Sequence, residues 1–104
     1  MNIKQLFETD LPKSLLAKTK EVQSVNARFQ VNITGEGEWH LDCTSTGPSV
    51  TPGQQKADCT LTISGDNFRA LMKEPSKATT MLLFGKLKIA GDKMLAMKLT
   101  KLLG

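Results

Sequence analysis

The sequence predicts an α+β domain, a small sheet with helices packed on one face. Three observations carry that reading. Apolar and polar residues alternate with period two through the middle of the chain, apolar residues recur every three or four positions at both ends, and Gly- and Pro-bearing turns separate the two patterns. With 104 residues, 39% apolar and 23% charged, the chain has the composition of one ordinary globular domain over 1–104.

Ile3, Leu6, Phe7 and Leu11 mark an amphipathic first helix that Pro12 is expected to interrupt or restart, with Leu15 and Leu16 continuing it. From Ser24 the period becomes two: Val25, Ala27, Phe29, Val31 and Ile33 alternate with Asn26, Arg28, Gln30, Asn32 and Thr34. The turn Gly35-Glu36-Gly37 leads to a second strand with Trp39, Leu41 and Cys43 on its apolar phase, completing a hairpin. Gly47-Pro48 and Pro52-Gly53 leave room only for a short strand around Val50. Cys59, Leu61 and Ile63 form the apolar phase of a fourth strand, and Ser64 or Asp66 is placed to cap the helix carrying Phe68, Leu71 and Met72. Pro75 and Ser76 precede a further helix to about Phe84, Leu87 and Ile89 form a last strand, and Gly91-Asp92 starts the terminal helix. Each clear strand has one apolar and one polar face, so the sheet is antiparallel or mixed, with helices on one side and water on the other.

Charge is unevenly spread. Residues 1–68 hold six basic and eight acidic side chains, whereas 69–104 hold eight basic ones against Glu74 and Asp92. A block of this kind is either a solvated, solubilising face or a surface that attracts anionic lipid headgroups or the phosphates of a thioester ligand. On a helical wheel Leu95, Ala96, Leu99, Leu102 and Leu103 share one face, while Met94 and Met97 fall among Lys93, Lys98 and Lys101. The terminal helix therefore carries more apolar surface than its core contact needs. No run approaches the roughly 18 apolar residues of a membrane span, and the amphipathic N-terminus differs from a signal peptide, so a cytoplasmic location is expected.

Nothing in the pattern predicts catalysis. His40, the only histidine, sits on a polar strand phase beside Glu38 and Asp42 and is expected to be solvated. Cys43 and Cys59 lie on apolar phases, as reduced buried thiols with no activating base. Glu36, Glu38 and Asp42 lack the oxygen-rich loop of a cation site, so no metal and no cofactor is expected. Nucleic acid is excluded for want of a stacking platform: Phe29 and Trp39 point to the apolar phase and there is no tyrosine. Of five methionines, Met72, Met81, Met94 and Met97 lie in the helices after the main sheet, suiting either an adaptable core or a pocket for apolar shapes.

The segment Phe84-Gly85-Lys86-Leu87-Lys88-Ile89-Ala90-Gly91-Asp92-Lys93-Met94-Leu95-Ala96-Met97-Lys98-Leu99 resembles the C-terminal signature of the sterol carrier protein 2 family, the nonspecific lipid-transfer proteins. Asp58-Cys59-Thr60-Leu61-Thr62-Ile63-Ser64 with Asp66-Asn67-Phe68 resembles that family's strand leading into its middle helix, and Phe29–Ile33 with Gly35 and Trp39 resembles its first hairpin. The resemblance implies a largely antiparallel five-stranded sheet covered on one face by helices that enclose an apolar tunnel. It implies binding of fatty acids, acyl thioesters, phospholipids or sterols without chemical change. The residues it puts forward as tunnel lining are Phe7, Trp39, Phe68, Met72, Met81, Leu82, Phe84, Met94, Leu95, Met97 and Thr100, the last standing where relatives often carry glutamine. The chain ends Lys101-Leu102-Leu103-Gly104, so import by the peroxisomal tripeptide of animal members is not expected.

The expected partners are a long-chain lipid and, transiently, an anionic membrane surface. The sequence carries no signal for an oligomeric state. Two other readings stand beside the lipid carrier: a ligand-free module docking a protein through its basic terminal helix, and an accessory domain presenting lipid to a separate enzyme.

Overall fold

The computed structural model describes residues 1–103. The N-terminal helical run comprises α1 (Ile3–Gln5), a π-helical turn (Leu6–Asp10) and α2 (Leu11–Ala17), with Pro12 inside it. Pro12 lies in the first turn of α2 and so restarts the run, one of the two outcomes expected of it. The Leu11 N–H reaches back to the Leu6 carbonyl, and this wider turn accommodates a residue that has no N–H to donate and whose ring crowds the carbonyl four positions earlier. A short helix α2 to strand joint, α3 (Thr19–Ser24), was not legible in the sequence because it buries only Val22. Asn26 then takes a left-handed φ of 53°, so the first strand begins at Ala27 rather than at Ser24.

Five strands follow the predicted alternation: β1 (Ala27–Thr34), β2 (Gly37–Cys43), β3 (Ser49–Pro52), β4 (Cys59–Ser64) and β5 (Leu87–Gly91). Their order is β3-β2-β1-β4-β5, and every pairing is antiparallel except the central β1–β4 pair, which is parallel. The sheet is therefore mixed. Helix α4 (Gly65–Lys73) starts at Ser64, whose hydroxyl accepts the Asn67 N–H at 3.2 Å. A 3-10 turn (Pro75–Lys77), α5 (Ala78–Leu83) and the terminal α6 (Lys93–Leu103) complete the fold. At the corner between β5 and α6, Gly91 has a φ of 89°, and a Cβ there would strike the Asp58 carbonyl. None of the described helices is long and apolar enough to cross a membrane.

The inner face of the sheet and the helices share one core. Near its centre Phe7 stacks on Trp39 with ring centroids 4.7 Å apart, and Phe68 meets Phe7 at 5.7 Å. The Trp39 indole N–H donates to the Glu8 carboxylate at 3.1 Å, which satisfies the one polar atom of that buried ring.

The outer face is not the open, watered surface that alternation predicts. Gln30 and His40 are 1% and 4% exposed. Topology explains this, because the chain leaving β3 must cross β2 and β1 to reach β4, and it does so over the polar face. The Gln30 amide donates to the Gly53 carbonyl at 3.0 Å and accepts the Gln55 N–H at 3.1 Å, and the Asp58 carboxylate accepts the Arg28 N–H at 2.8 Å. His40 Nδ1 has no hydrogen-bond partner among the described residues. Burial lowers the His40 pKa from 6.5, Asp42 works against that shift and Arg28 adds to it.

Two predictions follow from this packing. Leu99 is fully buried on α6, so Leu99→Ala should destabilise the fold by about 2–5 kcal/mol, read as a lower urea midpoint. The second concerns pH. Because folding lowers the His40 pKa, the unfolded chain takes up the proton first as pH falls, and the associated stability is present above 6.5 and lost as pH drops through the folded value. His40→Gln should remove that part of the pH dependence as pH falls below 6.5, and parallel midpoint curves for the two proteins would refute the assignment.

Candidate functional site

Strand alternation places Leu61 on β4 and Leu87 and Ile89 on β5 on the inner face, with Leu61 paired to Ile89. Leu61 and Leu87 are buried and Ile89 is half-buried. On one side stand Pro75, Ser76, Ala78, Thr79 and Leu82 from the 3-10 turn and α5; on the other stand Lys93, Ala96, Met97, Thr100 and Lys101 from α6. With Leu71 of α4 at its end, the space between is an open groove of about 680 Å³. That volume lies within the roughly 300–1,000 Å³ of small-molecule sites.

The groove is apolar apart from three hydroxyls and two ammonium groups, and no carboxylate lines it. The Thr100 hydroxyl donates to the Ala96 carbonyl at 3.0 Å, so its proton is committed to the helix and only its oxygen lone pairs remain for a visitor. Lys93 and Lys101 are exposed at the rim. Chemically, this arrangement can hold a hydrocarbon and attract an anion at one end. A nucleophile and its base are not brought together here: burial, with Asp42 nearby, pushes the Cys43 thiol up to about 11, burial likewise raises Cys59, and His40 lies on the opposite face of the sheet.

Of the residues put forward from the sequence, Leu82, Met97 and Thr100 line the groove. Phe7, Trp39, Phe68 and Met81 lie in the packed core, Met72 and Leu95 are half-buried beside it, and Phe84 and Met94 are exposed. The strand residues Leu61, Leu87 and Ile89 were legible as inner-face positions but not as groove-lining ones. Pro75, Ser76, Ala78 and Thr79 carried no signal, since they are small residues around a turn.

A family model described as the SCP-2 sterol transfer family matches residues 3–104, and the chain belongs to that family. It is 36% identical over 86 residues to hydroxysteroid dehydrogenase-like protein 2 of Bos taurus, covering 79% of this chain and 21% of that protein. The chain thus spans about a fifth of the length of that curated relative. Among solved structures, the apo form of sterol carrier protein 2 from Yarrowia lipolytica aligns with a TM-score of 0.66 and 26% identity, covering 97% of this chain and 83% of that one. Sterol carrier protein 2 of Aedes aegypti in complex with the C16 fatty acid palmitate aligns with a TM-score of 0.61 and 19% identity, over 90% of this chain and 94% of that one, a likeness of fold.

The distance between Trp39 and the groove gives a test. Trp39 is on β2, with β1 between it and β4, so about 10 Å of sheet separates it from the groove floor. A lipid confined to the groove should leave the Trp39 emission unchanged. A spectral shift on saturation would show that the ligand reaches beneath the helices into the aromatic core.

Proposed function

We propose that this domain binds the acyl chain of a long-chain lipid, a fatty acid, acyl thioester or phospholipid, in the groove between α5 and α6, and releases it unaltered. The observation that carries the reading is the 680 Å³ apolar groove over β4 and β5, bounded by Lys93 and Lys101. Membership of the SCP-2 sterol transfer family and the palmitate complex of a structural relative support it. Each methylene taken out of water contributes about 0.8 kcal/mol, so desolvation supplies most of the affinity and the lysines orient the anionic end. In this reading the open groove is the mouth of a tunnel, and Leu82 and Met97 fold over the bound chain.

A second reading rests on one observation, the relative named for a dehydrogenase of which this chain spans about a fifth. There the domain would present its lipid to a catalytic unit. Both readings share the groove and leave the chemistry elsewhere.

Calorimetry and thermal melts with palmitate and a palmitoyl thioester test the shared claim. One ligand should bind per chain and raise the melting temperature, because a ligand selective for the native state stabilises it. Met97→Lys, at an exposed groove position, should weaken palmitate binding by about tenfold or more while shifting stability by less than about 0.5 kcal/mol. No heat and no thermal shift with either lipid would overturn the reading and favour a ligand-free interaction module.

A further inference from the structure

Met97 is the one readily oxidised side chain among the described residues that line the groove; the rest carry alkyl groups, three hydroxyls and two ammonium groups. It is 70% exposed, so its sulfur is not committed to core packing. Lys93 and Lys101 stand one helical turn before and after it, about 6 Å of axis to each side, and all three line the groove. A thioether between two ammonium-bearing positions thus meets whatever lipid the groove holds. Cys43, Cys59, Trp39 and Met81 are buried in the core and do not compete for an oxidant there. Met94, 76% exposed on the same helix but outside the groove lining, is a natural comparison for Met97.

We propose that Met97 is an oxygen-acceptor site for lipid hydroperoxides: a hydroperoxide of an unsaturated acyl chain, held in the groove, passes its terminal oxygen to the Met97 thioether and leaves as the corresponding lipid alcohol. A sulfur lone pair attacks the terminal oxygen, the S–O bond forms as the O–O bond breaks, and the hydroperoxyl proton moves to the oxygen that stays on the lipid. The sulfur gives up two electrons and the hydroperoxide takes them, so no other reactant is consumed. The ammonium groups of Lys93 and Lys101 favour the step by stabilising the negative charge that develops on the lipid oxygen. Confinement supplies the rate, because holding the two groups side by side replaces a slow bimolecular encounter. The product is methionine sulfoxide, which methionine sulfoxide reductases return to the thioether, so the site can be used again. The inference rests on the lipid-binding reading of the groove and applies to oxidised cargo alone; palmitate, which has no hydroperoxyl group, still leaves unaltered.

The test treats the whole chain with linoleic acid hydroperoxide and, separately, with tert-butyl hydroperoxide, which carries the same reactive group without an acyl chain. Fragment spectra of the tryptic peptide 94–98 read the sulfoxide at each methionine, and chromatography counts the lipid alcohol. With the lipid hydroperoxide Met97 should be oxidised at least about tenfold faster than Met94, with one alcohol formed per sulfoxide, and saturating palmitate should remove the preference. With tert-butyl hydroperoxide the two similarly exposed methionines should react at similar rates. Met97→Leu, a swap that keeps volume and apolarity, should still bind palmitate but form the alcohol at least about tenfold more slowly. Equal oxidation of Met94 and Met97 by the lipid hydroperoxide, a Met97 preference that palmitate does not suppress or that tert-butyl hydroperoxide reproduces, or undiminished alcohol formation by Met97→Leu overturns the proposal. If palmitate binds and any of these results is found, the oxygen-acceptor site falls and the lipid carrier stands; if palmitate fails to bind, both fall.

Discussion

Everything in this domain depends on how an apolar sheet face wider than any one helix is covered. The central parallel pairing of β1 with β4 joins the hairpin of the first half to the second half of the chain, and so creates a continuous five-stranded inner surface. The first half of that surface is closed by the N-terminal helical run, where Phe7, Trp39 and Phe68 interlock. The second half is closed less completely. Helices α5 and α6 pack on β5 and β4, and a groove with Leu61, Leu87 and Ile89 among its lining residues remains between the two helices. One end of the molecule is therefore a filled core and the other a groove, although both are built from the same alternating pattern.

The opposite face obeys a different constraint. A connection from β3 to β4 has to pass two strands, and laying it over the polar face requires that the backbone groups of the crossing segment find partners. Gln30 supplies two of them from its side chain, and the Arg28 backbone and Asp58 supply the return contact. The polar phase of β1 is thus used as structure rather than as solvent-facing surface. The burial of His40 follows from the same crossing.

These two faces show what could be read from the sequence and what could not. Period-two alternation located β1, β2, β4 and β5 because each strand's pattern is local. The same rule assigned His40 to water, wrongly, since the polar face is crossed by residues 53–58, which bond Gln30 and Arg28 on the neighbouring strand, and no local pattern announces a crossing. Whether Pro12 interrupts the run or restarts it was open for a similar reason: its effect depends on whether the preceding turn can widen, and the Leu11 to Leu6 bond shows that it does. On α6 the wheel separated Ala96 and Leu99, both buried, from the exposed Met94 and Met97. It could not show that Met97 faces a groove, because a void is defined by the spacing of two helices that no single helix encodes.

The make-up of the groove bears on how selective its proposed cargo could be. A site that discriminates strongly between ligands buries polar groups that only the right ligand satisfies, so that the wrong one leaves them unpaired. Here Thr100 has already committed its proton to Ala96, and the two lysines sit at the rim, where water can satisfy them in any complex. Little is left inside to be disappointed by the wrong lipid. Discrimination would then rest on chain length against groove length and on the charge of the headgroup at the rim, while flexible Met97 adapts to the outline of whatever enters. A carrier built on these terms accepts a class of lipids rather than one molecule. Its selectivity in use would come less from the groove than from the surface on which the groove is opened.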